Sequence, residues 1–289
     1  MTIKRLRSII VILLLCSLAA LHGQAKNEMY RFDSTRYWIP DSIPKEEYLG
    51  LKEVPLRTNP KIVILMYHNL VFGRTGNEYN RDLYNFEQDI RFIQSRFKII
   101  DFYDLNAIQA GKQKLETDAA VITFDDGDLS MYAIAFPLLS EYDIKATFFI
   151  ISRFVGEVGY MNWDQITQIS RYRSKSGKRI FSIGSHSATH QYLNQVKIEA
   201  VYEELRASKK EIEQRSGTTV DFISLPFGDG HDNTTIRNIA KELGYFGIRT
   251  SVETAMPAIK IDMYNLPSIT IRNASTDKEF ERIWKMVGR

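Results

Sequence analysis

Short, mostly apolar runs alternate along this chain with stretches of helical periodicity, and that alternation restricts the fold more than any other feature. Residues 61–67, 119–124, 146–151 and 180–183 carry few polar interruptions, the pattern of strands covered on both faces. Shorter runs at 98–100, 222–225, 245–248 and 266–271 read as further strands. Between them, 83–97 places Phe86, Ile90, Ile93 and Phe97 on one helical face. The stretches 101–110, 130–141, 161–170, 198–215, 234–243 and 277–287 also read as helices, the fifth of these seven long and amphipathic with many charge pairs. Strands alternating with helices imply parallel βα units. Six or more such units in 289 residues predict an α/β chain closed, or nearly closed, into a single distorted (β/α) barrel over 60–289.

The polar residues fall where such a barrel does chemistry, at the carboxyl ends of its strands. His68 follows the first run, Asp125 and Asp126 the run 119–124, and His186 and His190 the run 180–183; Pro226-Phe227-Gly228 turns the chain after 222–225. Adjacent carboxylates repel, and a shared site is resolved if one holds a cation while the other acts as a base. Asp and Gly are also ordinary turn formers, so Asp125-Asp126-Gly127 alone fits a plain strand-end turn equally well. His186 and His190 are four apart, a spacing that puts two imidazoles on one face of a helical turn, where exposed pairs are also common. With Asp126 they make a two-histidine, one-carboxylate set that suits zinc or another first-row metal and leaves positions open for water.

Composition is ordinary for a globular chain, 44% hydrophobic and 25% charged. The net charge of +3 equals the contribution of Lys4, Arg5 and Arg7, and no basic run with interleaved aromatics occurs, which argues against nucleic acid as a partner. Those three cations precede an apolar run of 13 residues, Ile9 to Leu21, too short to span a bilayer comfortably. With Gly23-Gln24-Ala25 as the cleavage site, residues 1–25 read as a secretory signal peptide, which predicts a secreted, periplasmic or envelope protein. The alternatives are an uncleaved anchor giving peripheral membrane association, or a lipoprotein on Cys16, which Leu15 fits poorly. Cys16 is the one cysteine, so the mature chain has no disulfide. Residues 26–59, with Pro40, Pro44 and Pro55, read as an extended arm or linker.

Thr123-Phe-Asp-Asp-Gly127 and His186-Ser-Ala-Thr-His190 resemble the first two motifs of the polysaccharide deacetylase family, the NodB-homology or carbohydrate esterase 4 type. Tyr67-His68, Met161-Asn-Trp-Asp164, Leu225-Pro-Phe-Gly228 and Gly244-Tyr-Phe-Gly247 extend the resemblance from about residue 62 to 271. It is nearest to the exported branch acting on poly-N-acetylglucosamine. The resemblance implies the barrel of that family and a divalent metal held by Asp126, His186 and His190. It makes Asp125 the base that takes a proton from the attacking water, and the backbone N–H of Phe227 a donor to the oxyanion. Pro226, Phe227 and Trp163 become candidates for contact with the sugar, although aromatics such as Trp163 are more often core.

Two departures stand out. The family's arginine two residues before the motif proline is Ser224 here, and the late-strand histidine is missing from Leu266-Pro-Ser-Ile-Thr-Ile271. Of five histidines, His22 is in the leader and His231 reads as an exposed loop residue, which leaves His68 for an active-site role as proton donor or supporting partner. Arg272 is a candidate replacement for the missing cation. The activity expected is N-deacetylation of an extracellular polysaccharide; the alternatives are O-acetyl ester cleavage on xylan or another glycan, and a glycan-binding relative without turnover.

Overall fold

The computed structural model describes residues 54–73 and 76–288. The leader, Cys16 and all but the last few residues of the arm lie outside the described residues.

The apolar runs form the strands β1 (Lys61–Tyr67), β5 (Ala119–Phe124), β6 (Ala146–Ile150), β7 (Phe181–Ser185), β8 (Phe222–Ser224) and β9 (Gly247–Arg249). They lie side by side in the order β1-β5-β6-β7-β8-β9, every pair parallel. Short strands complete the sheet: β4 (Lys98–Ile99) pairs with β5, β10 (Met256–Pro257) runs antiparallel to β1, and β11 (Ile269–Thr270) runs parallel to β1. The last edge nearly meets the first. Thr250 donates its N–H to the Leu266 carbonyl at 2.8 Å, and Leu266 donates to Ile248 at 2.9 Å, so the stretch leading into β11 bridges β9 back towards β1. The sheet is a strongly curled half-barrel, as the βα alternation predicts.

Seven helices, α1 (Leu83–Arg96), α2 (Phe102–Gln109), α3 (Phe136–Glu141), α4 (Trp163–Arg171), α5 (Ile198–Ser216), α6 (Thr234–Glu242) and α7 (Thr276–Val287), occupy the positions expected from periodicity among the described residues. Two stretches depart from expectation, each at a proline. The run 266–271 yields only two strand residues, because Pro267 has no N–H to give a ladder. The helix expected over 130–141 opens as a π-helical turn, Met131–Ala135, before α3; Pro137 cannot supply the next i→i−4 bond. A two-stranded parallel pair, β2 (Asn69–Val71) with β3 (Asn80–Asp82), is too short to leave a periodic signal.

Just below the polar rim, Tyr67, Phe124 and Phe148 stand on neighbouring strands and stack at 5.4 and 5.1 Å between ring centroids. This aromatic layer makes the strand ends stiff. Beneath it, Arg81 and Asp89 form a fully buried ion pair. The Tyr67 hydroxyl donates to Asp89 at 3.1 Å, Thr276 Oγ1 donates to it at 2.8 Å, and Arg81 donates to the Arg272 carbonyl at 3.0 Å. One cluster thus fastens α1, α7 and the end of β1 together.

Candidate active site

Each strand end delivers its polar residue to one place. Asp125 continues the β5 ladder by donating its N–H to the Tyr67 carbonyl at 2.9 Å, which keeps its side chain in the sheet's interior, buried. The chain then turns sharply: Asp126 and Gly127 both have left-handed backbones, φ 78° and 86°. That reversal swings the second carboxylate away from the first, so the two acids take different surroundings despite being adjacent.

His186 directly follows β7. Its Nδ1 lies 2.9 Å from the Ser224 carbonyl, an acceptor only, so Nδ1 carries the proton and Nε2 keeps its lone pair. His190 is reached through a tight loop, not a helical turn: Ser187 and His190 have φ 61° each, and the His190 N–H donates to Ser187 Oγ at 3.0 Å. The helical face expected from the spacing is therefore corrected to a looped hairpin of five residues, which a spacing of four fits as well as a helix does. Among the described residues, four of the five non-glycine residues with positive φ are Asp126, Ser187, His190 and Phe227, all at this rim. Such conformations are costly and persist where the surroundings fix them, and they collect at functional sites.

The donor atoms converge. Asp126 Oδ1 lies 3.4 Å from His186 Nε2 and 3.5 Å from His190 Nε2, and the two Nε2 atoms are 3.2 Å apart. Ligands about 2.1 Å from one ion at tetrahedral angles stand about 3.4 Å from each other. The three residues expected from the sequence to bind metal thus fit a first-row dication. Electrostatics agree. Burial pushes the Asp126 carboxyl up, but His186, His68 and His190 outweigh it and hold the group at about 2. Burial and the neighbouring His186 hold the His190 imidazole down at about 4, so it is neutral and able to ligate at pH 7. Burial also pushes His186 down, yet Asp125 and Asp126 together carry it above its ordinary value: the pocket is anionic and attracts a positive charge.

Asp125 stands beside this cluster, its Oδ2 3.6 Å from His186 Nε2. The same Oδ2 accepts from Ser224 Oγ at 3.2 Å and from the guanidinium of Arg249. Its other oxygen, Oδ1, is buried with no hydrogen-bond partner among the described residues. Burial raises this carboxyl, and Arg249, His186 and His68 more than reverse the effect, so it is ionised. Arg249 also donates to Ser224 Oγ. Ser224 and Arg249 are register partners on β8 and β9, so the cation missing from position 224 arrives from the next strand. Sequence reasoning missed Arg249; the signal available was an arginine closing an apolar strand at the same end as the other polar residues. Arg272, the expected stand-in, instead pairs with Glu253 at 2.9 Å on the surface.

His68 sits between β1 and β2 with its ring 5.2 Å from Tyr79, and Asp125, Asp126, Arg249 and His186 all act on it electrostatically. Its Nδ1 is buried without a partner among the described residues, and burial lowers its pKa despite the two carboxylates. Pro226 is buried in the turn after β8, while Phe227 is half exposed, 4.5 Å from the His190 ring and stacked on Tyr192 at 3.9 Å and 7°. Trp163 opens α4, and the Arg215 guanidinium lies over its ring at 5.6 Å.

Comparison with known proteins agrees with this geometry. The polysaccharide deacetylase family model matches residues 112–248, a span that holds Asp125, Asp126, His186, His190 and Phe227. A Bacillus subtilis protein, YxkH, whose own assignment as a polysaccharide deacetylase is provisional, is 26% identical over 66% of this chain and 64% of its own length. The poly-beta-1,6-N-acetyl-D-glucosamine N-deacetylase of Staphylococcus aureus is 26% identical over 60% of each chain. The match thus spans about three fifths of the length of these curated relatives. Among solved structures, the Streptococcus pyogenes deacetylase PplD in complex with acetate superposes with a TM-score of 0.66 at 23% identity, over 78% of this chain and 98% of its own. IcaB from Ammonifex degensii gives 0.61 at 20% identity, over 80% and 98%. The motifs, the curled sheet and the convergent His–Asp rim agree with one finding: over residues 112–248 this chain matches the polysaccharide deacetylase family.

Proposed function

We propose that the protein is a metal-dependent hydrolase that removes N-acetyl groups from an extracellular or envelope polysaccharide of the poly-N-acetylglucosamine kind and releases acetate. The observation that carries this reading is Asp125 Oδ1, a buried, ionised and unpaired carboxylate oxygen next to three metal-donor atoms. Among the described residues Glu87 Oε2 is also buried without a partner, but of these two carboxylate oxygens only Asp125 Oδ1 belongs to a residue that stands beside the His–Asp donor atoms.

Asp126, His186 and His190 would hold the ion, which when bound polarises an acyl carbonyl and makes water more acidic. Asp125 accepts the proton of the attacking water on Oδ1. Ser224 and Arg249 occupy Oδ2, fix the carboxylate's rotation and keep it charged. As the carbonyl oxygen becomes an oxyanion, the Phe227 N–H donates to it. The left-handed backbone at Phe227 sets the direction of that peptide. The departing sugar nitrogen needs a proton; Asp125, protonated by the attacking water, supplies it, and His68, which interacts electrostatically with Asp125, is the candidate to relay it in the absence of a late-strand histidine. The half-exposed Phe227 face is an apolar platform for the ring beside the scissile amide.

Arg249 also weighs against a protein that binds glycan without turnover. The missing late-strand histidine and the missing family arginine both favour that alternative, and the second is answered by the guanidinium that reaches Asp125 from β9. Zinc is the metal that the two imidazoles and one carboxylate suit best, and the leader 1–25 supports export to the envelope or medium, where such a polymer is met.

The test is acetate release from N-acetylglucosamine oligomers, with and without chelator, beside acetylated xylan. Chelator-sensitive release from the oligomers is expected. Release from xylan alone transfers the proposal to O-acetyl esters, and no release from either, with zinc or cobalt supplied, defeats it.

A further inference from the structure

The loop that carries both histidines makes an improbable excursion, with left-handed backbone at Ser187 and His190. Something must hold it. The strand before it contributes Ser185 Oγ, which accepts the Ser187 N–H at 3.2 Å, and the segment after β6 contributes two N–H groups, Ser152 to the Ser187 carbonyl at 3.3 Å and Arg153 to the Ala188 carbonyl at 3.0 Å. The grip at the loop's outer bend comes from α5. Glu204 is 8% exposed, and its Oε2 accepts the N–H groups of Ala188 at 3.0 Å and Thr189 at 2.8 Å. Its Oε1 accepts from Thr189 Oγ1 at 2.6 Å. Both carboxylate oxygens are used, and both on the two residues between His186-Ser187 and His190.

Glu204 does not stand alone on its helix. Ser208, one turn on, accepts from Ser185 Oγ at 2.8 Å, and Glu211 accepts from Ser152 Oγ at 2.8 Å. Residues 204, 208 and 211 lie four and three apart, so one stripe of α5 faces the loop and its neighbours. The charge-rich sequence of this helix conceals that stripe, since Glu203 and Glu204 read alike although only Glu203 pairs on the surface, with Arg206.

We infer that Glu204 is a positioning residue for the metal site: its carboxylate sets the curvature of the His186–His190 loop and thereby the 3.2 Å convergence of the two Nε2 atoms. The inference rests on the reading of Asp126, His186 and His190 as ligands. Ala188 and Thr189 present successive N–H groups to one anionic oxygen, a charge-assisted arrangement stronger than a neutral acceptor gives and fixed in place by the helix. Without it the loop keeps His186, which the Ser224 carbonyl anchors separately, and loses the angle of His190.

The experiment is a cobalt(II) titration of the full metal-stripped chain, read by competition with a chromophoric chelator and by the cobalt absorption spectrum. Wild type is compared with Glu204→Ala, Glu204→Gln, Thr189→Ala and, as a control on the same helix, Glu203→Ala. Glu204→Ala is expected to lose about 10–100-fold in affinity and to show an altered ligand-field spectrum. Glu204→Gln retains an oxygen for the two N–H groups, and its amide can donate to the Thr189 hydroxyl, so it recovers to within a few-fold of wild type. Thr189→Ala, which removes one contact and leaves the fold undisturbed, loses a few-fold, and Glu203→Ala is unchanged. Wild-type affinity and spectrum in both Glu204→Ala and Thr189→Ala overturn the inference, and if Glu204→Ala does not fold, Thr189→Ala and Glu204→Gln decide it by the same readouts. A wild-type chain that takes up no cobalt, or a Asp126→Ala variant that binds as well as wild type, overturns the ligand assignment itself and the inference with it.

Discussion

Arg249 shows how a single side chain can be relocated without its function moving. The guanidinium reaches Asp125 and Ser224 from β9, where a shorter residue at 224 leaves room for it. Its head is buried, so removing it strands an ionised Asp125 with no cation. Arg249→Ser is expected to lower kcat about 10–100-fold, the scale seen when a group that orients a reacting residue is lost. Arg249→Lys should recover little, because the shorter ammonium lacks the second nitrogen, Nη1, that holds the guanidinium in place against Met66 Sδ and Ser268 Oγ. The double variant Ser224→Arg/Arg249→Ser returns the cation to the adjacent strand and should regain part of the lost rate; acetate release by the four proteins checks this. Asp125→Asn keeps the shape and removes the basic oxygen. Its expected cost is about 10²–10⁴-fold in rate with cobalt affinity preserved, a split that steady-state assays and titration together resolve.

At the level of elements, strands carry the site because they are tightly packed. Gly184 on β7 shows how tightly: a Cβ there would lie 2.4 Å from the Phe149 ring and 3.1 Å from the Phe222 carbonyl. Gly184→Ala is therefore expected to destabilise the fold by about 1–3 kcal/mol, measured by denaturant melts. The Arg81–Asp89 pair gives a larger figure. Asp89→Ala leaves a buried guanidinium uncompensated and should cost about 3–5 kcal/mol, while an apolar replacement of both partners should cost less. Much of the architecture could be read in the sequence, because the signals are local: apolar runs give β1, β5, β6 and β7, and Asp-Asp-Gly and His-x-x-x-His end two of them. The shape of the histidine loop could not be read, since four residues of spacing suit a helical turn and a strained hairpin alike. Arg249 and Glu204 escaped for a different reason. Their partners are 124 residues and 15–16 residues away, and only the folded chain brings those pairs together. Pro267 and Pro137 were visible, yet their effect on a strand and a helix depends on which N–H the neighbours required.

For the molecule as a whole, a metal held by Asp126, His186 and His190 as proposed would tie β5 to the segment after β7, and ligand binding to the native state alone raises stability. Added zinc at about 100 times its dissociation constant should contribute about 2.7 kcal/mol, seen as a rise in Tm that chelator reverses and that Asp126→Ala lacks. The left-handed backbone at the rim sets a further limit on the whole design. Aspartate and histidine are among the few side chains tolerated at positive φ, along with asparagine and glycine. Asp126 and His190 come from that short menu, whereas glutamate and cysteine would have to overcome conformational strain before they could coordinate anything. Any attempt to convert this centre to a thiolate or three-glutamate chemistry, in the laboratory or by drift, therefore begins at a conformational disadvantage. The main chain, as much as the ion, restricts which ligands this scaffold can try.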